Sequence, residues 1–453
     1  MLGIAVSLVG WALVAVLIGL GITAARRRSS DGGVDARTVR RFFQYGVLFA
    51  LVMVVAVGLS DLLARLFGAE PEQWQDDSLL LARALAFVLI GLPLLGLVGW
   101  WSWHSHRTNP KETGSPVFTG YLTLTALTSA VVAAVAVQTL IFDAVDETRL
   151  NPQAAAQLIV WGAIWLGHWL LAGRLLDAGR NAAHLLLGSV LGLVLGATGL
   201  LLTLGRSLDL LLRPDVMGRP IVNLAEAGSV LVGWGLVWVR YWATAAIRLP
   251  RQGWWLAHVL LVGVAGGLVT AIVSASRLLW SGLVWFLGDR LDVTWTAHFD
   301  DAAVELAGVA VGALVWWYHR ALLEGSVAER GEVHRIYEYL VAGIALVAAA
   351  TGVGTILVAL VESVTPGVDI GMTTMNTLLA ALTLLLVGVP VWWWHWRGVR
   401  AAVAAGPAVE VTALPRRVYL VLLFGVAGVA AVIALLVAGY NFFRDLVDAQ
   451  LGA

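Results

Sequence analysis

The 453-residue sequence contains no cysteine, and only 13% of its residues are charged, with 29 basic and 29 acidic side chains. Without cysteine the chain has no disulfide, no thiolate metal site and no thiol nucleophile. The zero net charge gives no reason to expect a nucleic-acid partner. A P-loop, a G-x-S-x-G elbow and an H-E-x-x-H motif are also missing. The sequence therefore predicts no enzyme, no cofactor and no metal site.

Apolar residues dominate what is present: they make up 60% of the chain, and the mean hydropathy is +0.85. Such a composition is typical of a polytopic membrane protein. About 20 apolar residues cross about 30 Å of hydrocarbon, and the sequence offers runs of this kind near 2–25, 41–67, 79–103, 117–142, 154–174, 184–210, 222–245, 256–287, 302–322, 335–362, 376–396 and 416–445. The first run is followed, not preceded, by arginines, so we interpret it as an uncleaved span.

The spans are of two kinds, which we call a and b. An a span begins with a basic or aromatic cluster, as at Arg335-Ile336-Tyr337. A b span ends in tryptophan followed by histidine or arginine, most clearly at Trp394-His395-Trp396-Arg397, and 16 of the 22 tryptophans lie on b spans. The two kinds alternate with a period of roughly 70 to 80 residues, which makes a two-helix hairpin the repeating unit.

The order of the spans is b, then five ab pairs, then a single a, which is a circular permutation of six hairpins. The sequence thus predicts an all-α polytopic fold of twelve transmembrane helices in six two-helix repeats of one orientation. We expect the first and last helices to pair and complete the sixth hairpin; an open bundle is the alternative. The single transmembrane domain, 1–453, would contain repeat units near 40–107, 115–176, 180–248, 252–323, 331–402, and 412–448 with 2–25.

Charge placement predicts the orientation. Of the 29 Lys and Arg residues, 20 lie where a b span joins the next a span, and 20 of the 29 acidic residues lie at the opposite ends. By the positive-inside rule the b-to-a joins are cytoplasmic. We therefore predict a multi-pass protein of the inner (plasma) membrane with both termini outside the cytoplasm.

Eight polar side chains fall inside the spans near the acidic ends, where a charge in hydrocarbon is costly and usually paired or functional. They form four complementary combinations: Asp61 with Arg83, Gln138 with Gln157, Arg206 with Glu226, and Arg277 with Glu305. One interpretation is that each pair clamps its hairpin shut. The other is that the pairs together line an outer vestibule or an ion path.

The tryptophan and histidine ends of the b spans are predicted to be anchors at the cytoplasmic membrane interface, because aromatic rings with a polar edge prefer the headgroup level. These anchors are Trp101, His104, His168, Trp169, Arg240, Trp317, His319, Trp394, His395 and Arg397. Haem, pigment or metal ligation by the histidines is a weaker alternative. Two trios of tryptophans spaced four apart each occupy one helix face, either as ordinary packing or as a wall for an apolar ligand; they are Trp161, Trp165 and Trp169, and Trp234, Trp238 and Trp242.

Small residues on the a spans, such as Gly188, Gly192 and Gly196, predict close helix crossing. Gly91-Leu92-Pro93 and Gly388-Val389-Pro390 recur on two b spans and are expected to bend them.

The stretches Arg416-Arg417-Val418-Tyr419, Gly388-Val389-Pro390 and Trp394-His395-Trp396-Arg397 resemble an uncharacterised family of bacterial membrane domains, a domain of unknown function whose units are paired spans. The resemblance covers about 331–448 and, more weakly, 40–107. It implies an integral membrane protein of hairpin repeats and assigns no substrate or catalytic residue.

These observations favour a non-enzymatic membrane scaffold or assembly partner. A channel or secondary transporter that uses the outer polar layer ranks second, because repeats of one orientation differ from the inverted repeats of many transporters. Binding of an apolar ligand, quinone or pigment ranks third. The expected partners are membrane lipids and either a membrane protein or a second copy of the chain.

Overall fold

The computed structural model describes residues 36–69, 77–109, 112–146, 150–213, 220–251, 253–290, 294–327, 332–364 and 374–451. The predicted first span, 2–25, and its pairing with the last helix lie outside these residues. Every regular element in the described ranges is a helix. Ten of these helices are long and apolar enough to cross a membrane, so the all-α, multi-pass prediction is confirmed, whereas the arrangement of twelve is not.

The described chain divides into two compact units, one ending at His258 and one beginning at Val259. The first unit contains three hairpins, each an a helix followed by a b helix. Hairpin 1 consists of α1 (Ala36–Leu66), α2 (Asp77–Leu89) and α3 (Gly91–Thr108); hairpin 2 of α4 (Pro116–Asp146) and α5 (Pro152–Leu175); hairpin 3 of α6 (Ala178–Leu212) and α7 (Pro220–Trp238). Helix α7 continues as a π-helical turn, Val239–Ala243, and a 3-10 turn, Ala246–Arg248.

The unit boundary falls inside the long a helix of hairpin 4. This helix consists of α8 (Gly253–Ala257), a π-helical segment (His258–Ala265) and α9 (Gly266–Leu287). The second unit continues with α10 (Trp295–His298), α11 (Ala302–Val327), hairpin 5 made of α12 (Glu332–Val364) and α13 (Thr374–Ala405), then α14 (Pro407–Thr412) and α15 (Leu414–Leu451). Helix α11 occupies the position of the predicted ninth span but is not among the ten candidate spans.

Three of the a helices, α1, α4 and α9, follow one packing rule. Helix α1 packs against its own b helix and against α5, the b helix of the next hairpin, and α4 likewise lies between α5 and α7. In the second unit α9 packs against α11 and α13. Each of these a helices is therefore shared by two b helices. Helix α15, the last a helix, contacts α12 and α14.

Glycines on the a helices allow the b helix backbone to approach. A Cβ on Gly192 would lie 2.6 Å from the Cα of Trp238, and one on Gly196 would lie 3.5 Å from the Cα of Gly235. The predicted glycine stripe thus lies directly against α7, where a larger side chain would push the helices apart. The equivalent glycines of α15, Gly425 and Gly428, have no atom within 4 Å of their Cβ positions.

The two proline motifs behave differently. The predicted span 79–103 is interrupted at Ile90, between α2 and α3. Pro93 lacks the N–H that would bond to the carbonyl of Leu89, which explains the interruption at this turn. Pro390 lies inside a continuous helix. The nearby Gly388 packs closely against α12, because a Cβ added to Gly388 would lie 2.8 Å from the backbone nitrogen of Ala349.

Candidate functional site

The first predicted polar pair at the acidic end is formed in the structure. Arg83 Nη2 of α2 donates to Asp61 Oδ2 of α1 over 3.0 Å. Gln153 Nε2, from the start of α5, donates to the other oxygen of Asp61 over 3.2 Å. Asp61 therefore joins hairpin 1 internally and also links it to hairpin 2.

The fourth predicted pair is also formed. Arg277 Nε of α9 lies 2.8 Å from Glu305 Oε1 of α11, and its Nη2 lies 3.3 Å from Asp301 Oδ2. Glu305 is buried, whereas Asp301 is exposed. One guanidinium thus holds the two acidic groups that flank the start of α11.

The prediction for Arg206 is wrong in its partner. No ion pair joins Arg206 to Glu226; Arg206 Nη1 lies 3.8 Å from Asp209 of its own helix, and Arg213 also contacts Asp209. Since α6 extends to Leu212, Asp209 lies one turn from both arginines, at the spacing that favours pairing along a helix. These ion pairs lie within the end of α6 and do not join it to α7. The two helices of hairpin 3 are instead held together by packing at the glycine stripe.

Gln138 and Gln157 are not hydrogen-bonded to each other either. Gln138 packs against α7, where its Cβ lies 3.6 Å from a Cβ placed on Gly233. Its side-chain oxygen is buried without a hydrogen-bond partner. The rotation of α4 about its axis therefore turns Gln138 toward hairpin 3 and away from α5, which carries Gln157.

A second inter-hairpin amide, missed by the sequence analysis, occurs in the other unit. Asn376 of α13 accepts from Asp289 N over 3.0 Å and donates to Asp289 O over 2.9 Å, and Trp280 Nε1 donates to the Asn376 carbonyl over 3.2 Å. Like Gln153, Asn376 follows closely on the start of a b helix. An amide at that position is the only sequence signal that marks these links.

At the arginine-rich end, the predicted anchors differ in exposure. Trp101, His104, Trp317, Trp394 and Arg397 are exposed, whereas His168, Trp169, Arg240 and His395 are partly buried and His319 is buried. The exposed group has the accessibility that an interface anchor needs. The others pack inside the hairpins.

The inward histidines share one geometry. The Nδ1 atoms of His168, His319 and His395 lie 2.8, 2.8 and 2.9 Å from the carbonyl four residues earlier. A carbonyl only accepts, so Nδ1 carries the proton and Nε2 is directed at the neighbouring a helix. At His168 this Nε2 accepts from the hydroxyl of Tyr121, 3.0 Å away.

In hairpin 1 the inward histidine is His106, which is not among the predicted anchors. His106 Nδ1 lies 2.8 Å from Ser102 O, and its ring packs 4.3 Å from that of Phe118. His104 instead stacks on Trp100 on the exposed side. Two residues correspond to about 200° of helix rotation, which separates the two histidines onto opposite faces.

The tryptophan trios are mainly packing residues. Trp161, Trp234 and Trp242 are buried, and Trp165 Nε1 donates to the hydroxyl of Tyr241 over 3.1 Å. The ring of Tyr241 lies directly over Gly188, where an added Cβ would collide with it. Trp165 and Trp169 therefore fill the contact between hairpins 2 and 3, whereas Trp242 stacks on Trp255 at the start of hairpin 4. The trios form no open wall for an apolar ligand.

Arg240, predicted to be an anchor at the lipid headgroups, instead contacts an aromatic ring of the protein. Its guanidinium carbon lies 3.9 Å from the ring centre of Trp169. The π-helical turn Val239–Ala243 carries this arginine next to the buried Tyr241. A cation over an aromatic face is attractive, so Arg240 connects α7 to α5.

Two buried glutamates at the arginine-rich end form what we call the Arg–Glu clasps. Arg41 Nε and Nη2, at the start of α1, donate to the two oxygens of Glu112 over 2.8 and 3.1 Å. Arg335 Nε, at the start of α12, donates to Glu410 Oε1 over 2.9 Å. Each clasp ties the beginning of an a helix to the segment that leads into the next a helix. Both glutamates lie beyond a b span, so a search for charges within spans overlooked them.

Opposing influences act on Glu112. Burial raises its pKa, while the Arg41 hydrogen bond and the positive charges of Arg41, Arg40 and His106 lower it. The net result is a pKa below the usual 4.5. Glu112 is therefore an anion at neutral pH, which the bidentate contact with Arg41 requires.

Within the described residues, no group of three or more His, Asp or Glu side chains is spaced to hold a metal ion. The polar groups named above contact each other in twos and threes, within hairpins or between neighbouring hairpins. This arrangement can fix helix positions.

The apolar helices and paired polar groups define a multi-pass helical membrane protein. The chain belongs to the DUF5671 family, a domain of unknown function, which matches residues 41–151 and 335–453. Each matched region begins at a clasp arginine and includes its glutamate. No curated protein and no solved structure matches the chain.

Proposed function

We propose that the protein is a non-enzymatic membrane scaffold that assembles with another membrane protein through α15. The observation that carries this proposal is the surface of α15: none of the most apolar part of Leu414–Tyr440 is buried, whereas every other candidate span buries part of its surface. A helix that follows the packing rule of α1, α4 and α9 would be shared by two b helices. Helix α15 has this surface available for association.

Two faces of α15 differ in character. One face is an apolar groove of about 340 Å³ lined by Gly425, Val426, Val429, Ala430 and Ile433. By helical periodicity Phe424 and Leu435 lie on the opposite face, where they are 70% and 75% exposed. The groove resembles the glycine faces that receive b helices in hairpins 3 and 4. The predicted sixth hairpin would use it for residues 2–25, which leaves the opposite face for the partner.

The way the polar groups are used supports the same role. The Arg–Glu clasps, the Arg83–Asp61 and Arg277–Glu305 pairs and the two amide links all connect helices of the same chain. Interhelical polar contacts in membranes contribute about 0.6 kcal/mol on average and up to about 2. Several such links make a stiff array of hairpins, which suits a scaffold.

Site-specific crosslinking tests the proposal, since the chain has no native cysteine. Phe424→Cys, labelled with a benzophenone maleimide in native membranes, is expected to yield a product of higher mass that contains a second protein chain. Val347→Cys on α12 is the matched control, because Val347 is 66% exposed and equally apolar. Equal yields from both sites, or no protein adduct from Phe424→Cys, would refute the proposal.

The groove face has its own test. Val429→Cys combined with a cysteine in residues 2–25 is expected to form an intramolecular crosslink if the sixth hairpin closes. The orientation is proposed on charge placement: tags at Met1 and Ala453 should both be accessible from outside the cytoplasm. A tag that is protected on that side contradicts the proposed topology.

A channel or transporter is the second candidate, favoured by one observation. Gln138 has a buried side-chain oxygen without a hydrogen-bond partner inside a membrane span, and such a group is often kept for function. Reconstituted vesicles would decide: an ion or solute flux that Gln138→Leu abolishes supports transport, and an absence of flux excludes it.

A further inference from the structure

A polar cavity of about 290 Å³ lies at the arginine-rich end of hairpin 5. Its walls come from three helices of the second unit: α11 contributes Arg320, α12 contributes His334, Tyr337 and Glu338, and α13 contributes Arg397. The family match, the polar pairs and the Arg–Glu clasps leave this cavity without a role.

The two arginines of the cavity are held by aromatic rings. The guanidinium carbon of Arg320 lies 5.4 Å from the ring centre of Trp316 and 5.8 Å from that of Tyr337. The guanidinium carbon of Arg397 lies 4.7 Å from the ring of Trp394. Among the described residues, neither arginine pairs with a carboxylate. Aromatic support orients a guanidinium and leaves its N–H donors available to an anion.

Two further polar groups of the cavity residues have unused hydrogen-bonding capacity. Nδ1 of His334 has no hydrogen-bond partner. The Tyr337 hydroxyl lies near Trp316 Nε1, and because an indole N–H can only donate to the hydroxyl oxygen, the hydroxyl proton has no acceptor. Tyr337 is only 8% exposed, so leaving its hydroxyl unbonded is unfavourable unless a ligand or water accepts from it.

One carboxylate limits the charge of the cavity. Glu338 Oε1 lies 3.2 Å from His334 Nε2, and the carboxylate lies against Gly398, where an added Cβ would be 2.7 Å from Oε1. The two guanidinium groups of the cavity outnumber its single carboxylate. An anion with several acceptor oxygens matches this excess of positive groups.

We propose that this cavity binds a phosphate group, supplied by the phosphodiester headgroup of an anionic lipid. Arg320 and Arg397 bind its oxygens from two different helices, and Tyr337 donates its hydroxyl to the same group. An acyl chain of the bound lipid would contact the exposed ring of Trp394 beside Arg397, and tryptophan is enriched at the level of lipid headgroups. The site does not depend on the scaffold role.

Native mass spectrometry of the detergent-purified chain tests the inference with dioleoyl phosphatidylglycerol as the probe and dioleoyl phosphatidylcholine as the neutral comparison. The wild type should bind the anionic lipid more tightly, and Arg320→Gln with Arg397→Gln should weaken that binding by about tenfold or more, as expected for loss of charge-assisted hydrogen bonds. Arg400→Gln is the matched control: Arg400 lies on the same helix over Trp393 and does not line the cavity.

An inorganic phosphate arm separates the two sources of the ligand group. Competition by millimolar inorganic phosphate shows that the phosphate alone suffices, and an absence of competition shows that the lipid is required; both agree with the cavity as a phosphate site. Tyr337→Phe removes one hydroxyl without removing charge and should weaken binding by about threefold to tenfold. If the double arginine variant fails to fold, the lipid affinity of Tyr337→Phe tests the inference instead. Wild-type affinity in Tyr337→Phe and in any folded arginine variant overturns the inference.

Discussion

The clasp around Glu112 allows the energetics of this fold to be measured with a built-in comparison. Two neighbouring arginines donate to the same carboxylate, Arg40 over 2.8 Å and Arg41 over 2.8 and 3.1 Å. Their side chains differ in solvent exposure, 45% for Arg40 and 16% for Arg41, while that of Glu112 is 2% exposed. Replacing each arginine by glutamine removes the same charge from two different environments.

The expected magnitudes follow from this difference. An ion pair with an exposed partner contributes at most about 1 kcal/mol, which applies to Arg40. A buried, bidentate, charge-assisted pair contributes about 1.5 to 3 kcal/mol, and breaking a fully buried pair costs about 3 to 5. Because Arg41 retains some contact with solvent, we expect Arg41→Gln to lower the free energy of unfolding by about 2 kcal/mol and Arg40→Gln by less than about 1.

The assay is reversible unfolding in mixed detergent micelles, followed by tryptophan fluorescence. A double-mutant cycle of Arg41→Gln with Glu112→Gln should give a coupling energy of about 2 kcal/mol. The parallel cycle of Arg335→Gln with Glu410→Gln should give a smaller value, since Arg335 donates a single hydrogen bond of 2.9 Å to a glutamate of similar burial, whereas Arg41 donates two. The reasoning fails if Arg40→Gln destabilises as much as Arg41→Gln, or if both coupling energies are near zero.

Three further outcomes are expected. The folded-state pKa of Glu112 is below 4.5, so its stabilising effect is complete above about pH 4.5 and is lost as the pH falls through the folded pKa; Glu112→Gln should flatten this part of a pH–stability curve. Gly192→Ala should destabilise by about 1 to 3 kcal/mol, because its Cβ would lie 2.6 Å from a backbone atom of α7, whereas Gly96→Ala on α3, with no atom within 4 Å, should have no such effect; equal melting temperatures would contradict the packing. Arg277→Glu should lower the stability of the fold, and adding Glu305→Arg should restore that stability. A double variant as unstable as the single one argues against a clamp.

Much of the architecture was accessible from local pattern. The positions of the apolar helices and the clusters of arginine and of acidic residues at their ends are visible in short windows of sequence. The described helices from Ala36 onward occupy the predicted positions, including α11, and the glycine stripe of α6 packs as expected. Two of the four predicted polar pairs are formed for the same reason: Asp61 with Arg83 and Arg277 with Glu305 lie at matching depth across short connections.

The other two predicted pairs are not formed. Arg206 and Glu226 are at matching depth, but Arg206 pairs with Asp209, which lies one turn away on the same helix. In hairpin 1 the inward histidine is His106, which was not predicted, and the predicted anchor His104 is exposed, because the two residues point about 200° apart.

The hydrophobicity and charge of each segment are sums over its own residues, and they are sufficient to show that the chain is a series of apolar helices with basic ends. Which side chains meet depends on the rotation and the axial offset of helices that are distant in sequence. A change of a few ångströms or one residue exchanges one partner for another, as at Gln138. In the sequence, Glu112 and Glu410 cannot be distinguished from other charged residues outside the spans. Only the packing of the hairpins buries them against Arg41 and Arg335.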